Sequence, residues 1–390
     1  MAASTSIQTF VSRAERTSSI RVFHLQNVVA PYVLPLFDAL AREWDFRVYY
    51  CKRRTALRMW DTRLDGCKFR ASILPHADLG PLVLNFTLAK ELFFGPAYDV
   101  YMFAENLPNV LSILLVLAMA RLQRKPIVMW TAVIETIWDI ARKSQIRRWF
   151  ERRFRGFLCK HIDVAVALSE PARVVLQRYG LAADRIYRTA YFVDPPHSLG
   201  NKERAKQQLD LDGKAILSVG YLVERKAFDV LIRAFQQLGL PNTTLLIAGT
   251  GPALQGLQSL VRSFDRIRFV GHIEGTTKDL YYGAADVFVL PSLHDDWGLV
   301  INEAMSYGLP VIATSAVAAT HDLVRENGIV VPAGDVRALA MALAQLLGDA
   351  FSRQAMSSAS LAINREFDLE YARKGFISAV DRALEVFGRV

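Results

Sequence analysis

The sequence predicts an α/β protein built on two parallel sheets. Three observations predict it. Strand-like and helix-like segments alternate along both halves, a proline-bearing polar stretch separates the halves, and the motif-bearing loops of the second half each follow a strand. A chain of 390 residues is too long for one compact core, so roughly two or three domains are expected.

In the first half, strands are expected at 21–25, 46–51, 97–103, 126–130 and 162–168, with a helix over 34–43 and further helices between the later strands. The apolar run 110–120 is far short of the ~20 residues needed to cross a membrane and reads as a buried helix. Tyr191-Phe-Val-Asp194-Pro195-Pro196 then breaks the pattern, and the polar stretch to Lys206 reads as a linker. The second half repeats the alternation, with strands at 214–220, 243–248, 267–270, 287–290, 310–314 and 328–331, and a closing helix over 367–387. Residues 1–19 are rich in Ser, Thr and Ala without the apolar core of a signal peptide, and read as a disordered leader. Cys51, Cys67 and Cys159 are scattered and odd in number, which argues against a zinc site or a disulfide framework and for a reducing compartment.

The net charge of +9 is concentrated locally. Arg142, Lys143, Arg147, Arg148, Arg152, Arg153, Arg155 and Lys160 crowd one segment, with Ile146, Trp149, Phe150, Phe154, Phe157 and Leu158 between them at helical spacing. A basic amphipathic helix over 142–160 can lie on anionic lipid. It can equally bury its apolar stripe in the core and solvate its arginines, and the pattern does not separate the two. No nucleic-acid motif accompanies the charge, so nucleic acid is not an expected partner.

Residues 291–310, PSLHDDWGLVINEAMSYGLP, carry the most chemistry. An apolar strand runs into a Pro-Ser turn, followed by Asp295, then Gly298, then a helical stretch holding Glu303. A helix that opens on glycine offers free N–H groups and a positive dipole end to a phosphate. Asp295 and Glu303 can flank whatever docks there. This stretch resembles the Glu-x7-Glu element of family 4 glycosyltransferases, through Trp297, Gly298, Leu299, Val300, Glu303, Ala304, Met305, Gly308, Pro310 and Val311. It departs at the first acid, where Asp295 stands for glutamate.

The resemblance implies the GT-B fold: two Rossmann-like parallel-sheet domains facing a cleft. Its divisions here would be an acceptor domain over 20–196, a nucleotide-sugar domain over 197–366, and a helix over 367–390 that packs back on the first domain. Three further stretches fit it. Ser218-Val-Gly220-Tyr-Leu-Val-Glu-Arg225-Lys226 resembles the loop whose basic residues hold the diphosphate; Lys226 falls on the family lysine, Tyr221 on its usual arginine, and Ala227 on its glycine, with Arg225 as the substitute charge. Gly249-Thr-Gly251-Pro252 resembles the family's Gly-x-Gly-Pro turn; a dinucleotide fingerprint fails because residue 254 is leucine. Around His272 and Ile273, backbone groups would meet the nucleobase, while Asp286 reads as a turn or capping residue and His321 as a satisfied loop histidine.

The function implied is a retaining glycosyltransferase with a nucleotide-diphosphate sugar as donor substrate and no cofactor. Lys226, Arg225 and the amides of Gly298 and Leu299 would hold the diphosphate, Glu303 the ribose hydroxyls and Asp295 the donor sugar. No Asp-x-Asp clamp lies in the expected loop, so no metal is expected. The acceptor would be a saccharide, lipid-linked in surface polysaccharide assembly, and the setting the cytoplasmic membrane face. In the first half the family's catalytic-region histidine is absent near Trp130–Glu135, and Glu105 and Glu135 are loop-adjacent acids that face either the cleft or solvent. A sugar-nucleotide epimerase of the same fold and a non-catalytic donor-binding protein stay open as alternatives.

Overall fold

The computed structural model describes residues 19–53, 63–196, 200–263 and 265–388. Most of the expected leader and the start of the expected linker, 197–199, lie outside the described residues. The first half forms a seven-stranded sheet in the spatial order Arg70–Ile73, Asp45–Lys52, Arg21–Val28, Val100–Ala104, Ile127–Thr131, Val164–Ala167, Ile186–Arg188. The second half forms a six-stranded sheet in the order Ile267–Gly271, Thr243–Ala248, Lys214–Val219, Val287–Leu290, Val311–Thr314, Gly328–Val331. Every paired strand in both sheets is parallel. The central strands are continuous apolar runs, because helices cover both of their faces. Val287–Leu290 and Val164–Ala167 are buried at every position.

The expected strands are present with small shifts at their ends, but the two edge strands of the first sheet, Arg70–Ile73 and Ile186–Arg188, were not expected, and further features differ. Residues 202–208 of the expected linker form a helix, Lys202–Gln208, because the Asn201 side chain accepts from the Arg204 N–H and caps it. The apolar run expected to be a buried helix does form Val110–Leu122, yet Leu111, Leu114 and Leu122 are exposed. A small antiparallel hairpin, His76–Leu79 with Leu82–Asn85, has no counterpart in the sequence reading. The closing helix, Leu369–Phe387, starts at Asp368, whose carboxylate accepts from the Tyr371 N–H at 2.8 Å. It buries Phe376, Ala379 and Val380 in the core of the first sheet, with Trp130 edge-on to Phe376 at 5.3 Å.

Two helical layers clothe the first sheet. The helix Leu34–Leu40 and the closing helix share one face. Leu88–Phe94, Val110–Leu122 and Gln145–His161 share the other. Among the described residues no helix is long and apolar enough to cross a membrane. All three cysteines are free. Burial pushes the Cys51 thiol up to about 12 and the Cys159 thiol up to about 11.

Candidate active site

The acidic pair is set by one strand–loop–helix unit. Val287–Leu290 delivers the chain to the carboxyl edge of the second sheet, where open α/β sheets bind ligands. The loop is pinned there by Asp295, whose N–H donates to the Ala316 carbonyl at 3.1 Å and whose carbonyl accepts from the Ala318 N–H at 3.0 Å. Gly298 follows with φ +96, and a Cβ there would stand 2.6 Å from the Val317 Cγ1. Glycine is therefore required twice over, by conformation and by space. The helix Leu299–Ser306 starts at once with no side-chain cap, so its first N–H groups stay available. Ile301, Ala304 and Met305 anchor it at helical spacing.

The structure brings Lys226 against Asp295. Lys226 ends the short turn Glu224–Lys226, is 8% exposed, and its ammonium hydrogen-bonds the Asp295 Oδ2. Arg225 stands 4.0 Å from Oδ1 and donates to the His294 carbonyl at 3.0 Å. Burial works to raise the Asp295 carboxyl, but the Lys226 ammonium and its hydrogen bond, with Arg225 behind them, outweigh it and hold the group below its ordinary value. Ala227 occupies the place of the family glycine and has φ +49, ψ +41, a left-handed conformation that costs a non-glycine residue roughly 1 kcal/mol.

Glu303 faces the same edge from the helix. Its Oε2 accepts from the Tyr282 hydroxyl at 2.8 Å and its Oε1 from the Lys278 ammonium at 3.3 Å. Tyr282 is fully buried and stacks on Tyr307 at 5.0 Å; burial and the Glu303 charge push its phenol well up, so it acts as a neutral donor. Sequence reasoning missed both Tyr282 and Lys278 as partners of Glu303.

Gly220, Gly249 and Gly251 lie together at the ends of neighbouring strands. A Cβ on Gly249 would fall 1.9 Å from the Gly220 carbonyl oxygen, and one on Gly251 2.3 Å from that of Leu222. These glycines let one loop lie directly on another. His272 stands apart: its side chain is largely exposed and lies 3.6 Å from Glu274, while Ile273 is buried. Asp286 accepts from the Ala215 N–H at 2.8 Å and from Lys206 at 2.8 Å, a structural role. His321 bonds the Ser315 carbonyl oxygen at 3.0 Å.

Across the cleft, Thr136 Oγ1 and His294 Nδ1 lie 3.0 Å apart, and Nε2 of the same ring lies 3.1 Å from Asp296 Oδ1. Arg142 pairs with Glu224 over the same gap. Sequence reasoning missed both: a place beside Asp295 is the signal that could have found His294, and nothing local points to Thr136. On the first sheet's carboxyl edge, Glu105 accepts from Thr131 at 2.5 Å and from Arg155 at 2.9 Å. Glu135 accepts from Arg178 at 2.9 Å. Neither acid is an unpaired surface charge. Arg155 is buried, so it does not belong to the solvated arginine face expected for the basic helix, and Trp149 and Phe150 are exposed rather than in the core stripe. That segment is also two helices, Ile137–Arg142 and Gln145–His161, the second capped by Ser144.

The chain is similar to known proteins. The family described as Glycosyl transferases group 1 matches residues 213–349, the stretch that carries Lys226, Asp295 and Glu303. A lipopolysaccharide core biosynthesis glycosyltransferase of Rhizobium meliloti, LpsE, is 34% identical over 151 residues, covering 38% of this chain and 43% of that protein. An uncharacterized glycosyltransferase of Haemophilus influenzae is 30% identical over 165 residues, covering 41% and 47% respectively. The chain thus spans less than half the length of these curated relatives. Among solved structures, Anabaena HepE in complex with UDP superposes with a TM-score of 0.73 at 17% identity, covering 95% of this chain and all of that one. WaaG, a glycosyltransferase involved in lipopolysaccharide biosynthesis, superposes at 0.64 with 19% identity, covering 94% and 99%. At those identities the likeness establishes the fold: two parallel-sheet α/β domains in the GT-B arrangement.

Proposed function

We propose that this protein is a glycosyltransferase that moves a sugar from a nucleotide-diphosphate donor to an acceptor hydroxyl, with retention, in the manner of family 4. The observation that carries the reading is the Lys226–Asp295 pair in the loop that leads into the helix opened by Gly298, with Glu303 on that helix. The domain divisions at 20–196 and 197–366, with the closing helix on the first half, belong to the same reading.

In this mechanism the diphosphate docks on the helix start at Gly298 and Leu299 and against Lys226 and Arg225. These groups stabilise charge that grows on the leaving oxygen, the kind of contact whose loss costs roughly 10²–10³ in turnover. The Glu303 carboxylate, held by Tyr282 and Lys278, keeps lone pairs for the ribose hydroxyls. Asp295 holds the donor sugar. Its carboxylate is one methylene shorter than glutamate, so a bridging water completes the reach at a cost of about 0–2 kcal/mol. The acceptor hydroxyl attacks from the face the diphosphate leaves, and the diphosphate takes the proton.

The UDP complex of the structural neighbour and the lipopolysaccharide role in the relative's name favour a UDP-sugar donor and a saccharide acceptor, lipid-linked in surface polysaccharide assembly. Peripheral membrane contact through 142–160 on the cytoplasmic face fits such an acceptor. A thermal-shift panel of UDP-, GDP-, ADP- and TDP-sugars tests the donor, since a specific ligand stabilises by mass action. Release of free nucleoside diphosphate with sugar transfer supports the reading. An epimerised nucleotide sugar, or binding without turnover, refutes it.

A further inference from the structure

Open parallel sheets bind ligands where the strand order turns back, in the crevice outside the carboxyl ends of the two strands at that point. In the second sheet the order turns between Lys214–Val219 and Val287–Leu290, and the loops that leave these strands carry Lys226 and Asp295. In the first sheet it turns between Arg21–Val28 and Val100–Ala104. A series of rings connects this second crevice to the donor edge. Tyr32, just past the first of its strands, meets the Tyr191 ring edge-on at 4.8 Å, and Tyr191 meets Trp297 of the Asp295 loop at 6.0 Å.

The chemistry of the crevice is carboxamide. Asn27 lies at the end of one strand, and Asn106 and Asn109 lie just past the other. The register sets Leu25 beside Phe103, which brings Asn27 level with the loop that holds the other two. Asn109 Nδ2 donates to Asn27 Oδ1 at 3.0 Å. Asn109 is 2% exposed, and its own Oδ1 is buried without a protein partner. Asn106 occupies the N-cap position of the turn Leu107–Asn109, where an asparagine side chain normally accepts from the backbone. It makes no cap bond here, and its Oδ1 is also buried and without a protein partner. Buried polar atoms are nearly always hydrogen-bonded, so idle amide oxygens in one crevice mark a place for a donor from outside the chain. Asn27 and Asn106 are half-buried, which leaves the crevice open to a ligand.

The charges around it are already compensated. Lys52, level with Val28, pairs with Asp78, and Glu105 is turned aside to Thr131 and Arg155. A phosphate or carboxylate calls for charged donors. A sugar hydroxyl is donor and acceptor at once, and a carboxamide carries both functions too. We propose that Asn27, Asn106 and Asn109 form a subsite for an uncharged sugar ring, whose neighbouring hydroxyls bond to their amides, and that it rejects a sugar bearing phosphate or carboxylate at that place. Sugar binding here stands on the geometry alone; naming that ring as the acceptor residue that receives the donor sugar rests on the transferase reading.

Saturation-transfer NMR on the whole chain tests it. The probes are the methyl glycosides of glucose, galactose, mannose and N-acetylglucosamine, beside glucuronate and glucose 6-phosphate. A neutral glycoside should give a saturable signal, with the anionic sugars binding at least about tenfold more weakly. Asn106→Ala breaks no side-chain hydrogen bond of the fold, so its melt should match the parent's while glycoside affinity falls about tenfold. Asn27→Ala should lower affinity by a similar factor. Asp295→Asn should leave glycoside binding as in the parent. Absence of signal from every neutral glycoside, equal binding of the anionic sugars, or unchanged affinity in Asn106→Ala overturns the proposal. So does a signal lost in Asp295→Asn and kept in Asn106→Ala, because the sugar would then sit in the donor's place. Nucleoside diphosphate release is measured separately: glycoside binding without turnover of any nucleotide sugar keeps the subsite and refutes the transferase reading.

Discussion

The carboxyl edge of the second sheet and the outer helical layer of the first solve opposite problems. At the edge, charges are withdrawn from solvent and each has a partner: Asp295 has Lys226, and Glu303 has Tyr282 and Lys278. On the layer, Arg147 pairs with Glu151, while Arg152 and Arg153 have no carboxylate partner among the described residues and lie near exposed rings such as Trp149. A preorganised polar edge suits a small charged ligand whose contacts are few and directional. A broad apolar and basic face suits a deformable partner that needs no register. The two regions thus differ in how they treat charge, and substitutions separate them.

The largest effect is expected from Lys226→Met. It leaves Asp295 buried without its counter-charge, so beyond lost diphosphate contact the fold should lose about 3–5 kcal/mol. Denaturant melts check this, and a melt equal to the parent's would mean that the pair is solvated. Next, Glu303→Gln should weaken donor use by ~2–4 kcal/mol in kcat/KM, because a charged acceptor for the ribose is lost. Tyr282→Phe should follow in the same direction by about 0.5–1.5 kcal/mol, since it removes one hydrogen bond that aims the carboxylate. Equal kinetics for the Phe variant and the parent would end the positioning role.

The pH dependence of the edge follows from Asp295. Its folded carboxyl lies below its ordinary 3.8, so its contribution to stability is complete above that value and is lost as pH falls through the lower, folded one. Acid unfolding of Asp295→Asn should therefore be shallower below pH ~4 than that of the parent. The smallest effect is at Ala227. Replacing a left-handed alanine with glycine should stabilise the chain by about 0.5–1 kcal/mol without touching donor affinity. A destabilised Ala227→Gly would contradict the strain argument.

The sequence was informative where chemistry is local. Strand, turn, Asp295, Gly298 and Glu303 lie within a few residues, and their order alone brought them to one edge. Parallel strands were legible because buried strands read as largely apolar runs at 243–248 and 287–290. Contacts made across the chain were not legible. Arg155 reads as one arginine of a basic stripe, yet it turns inward to Glu105, fifty residues away in sequence. Thr136 meets His294 only because two loops from different sheets face each other. The apolar stripe of Gln145–His161 also divides, with Phe154 and Leu158 inward and Trp149 outward, a choice made by the neighbouring helices rather than by period.

The most direct measurement of the central claim is nucleoside diphosphate release beside donor affinity, for the parent, Asp295→Asn and Asp295→Glu, using whichever nucleotide sugar stabilises the parent most. If Asp295 holds the sugar in its reactive pose, the Asn variant loses roughly a hundredfold or more in turnover while donor affinity moves little, and the Glu variant keeps substantial activity. An Asn variant that turns over like the parent would remove Asp295 from the site and contradict the account.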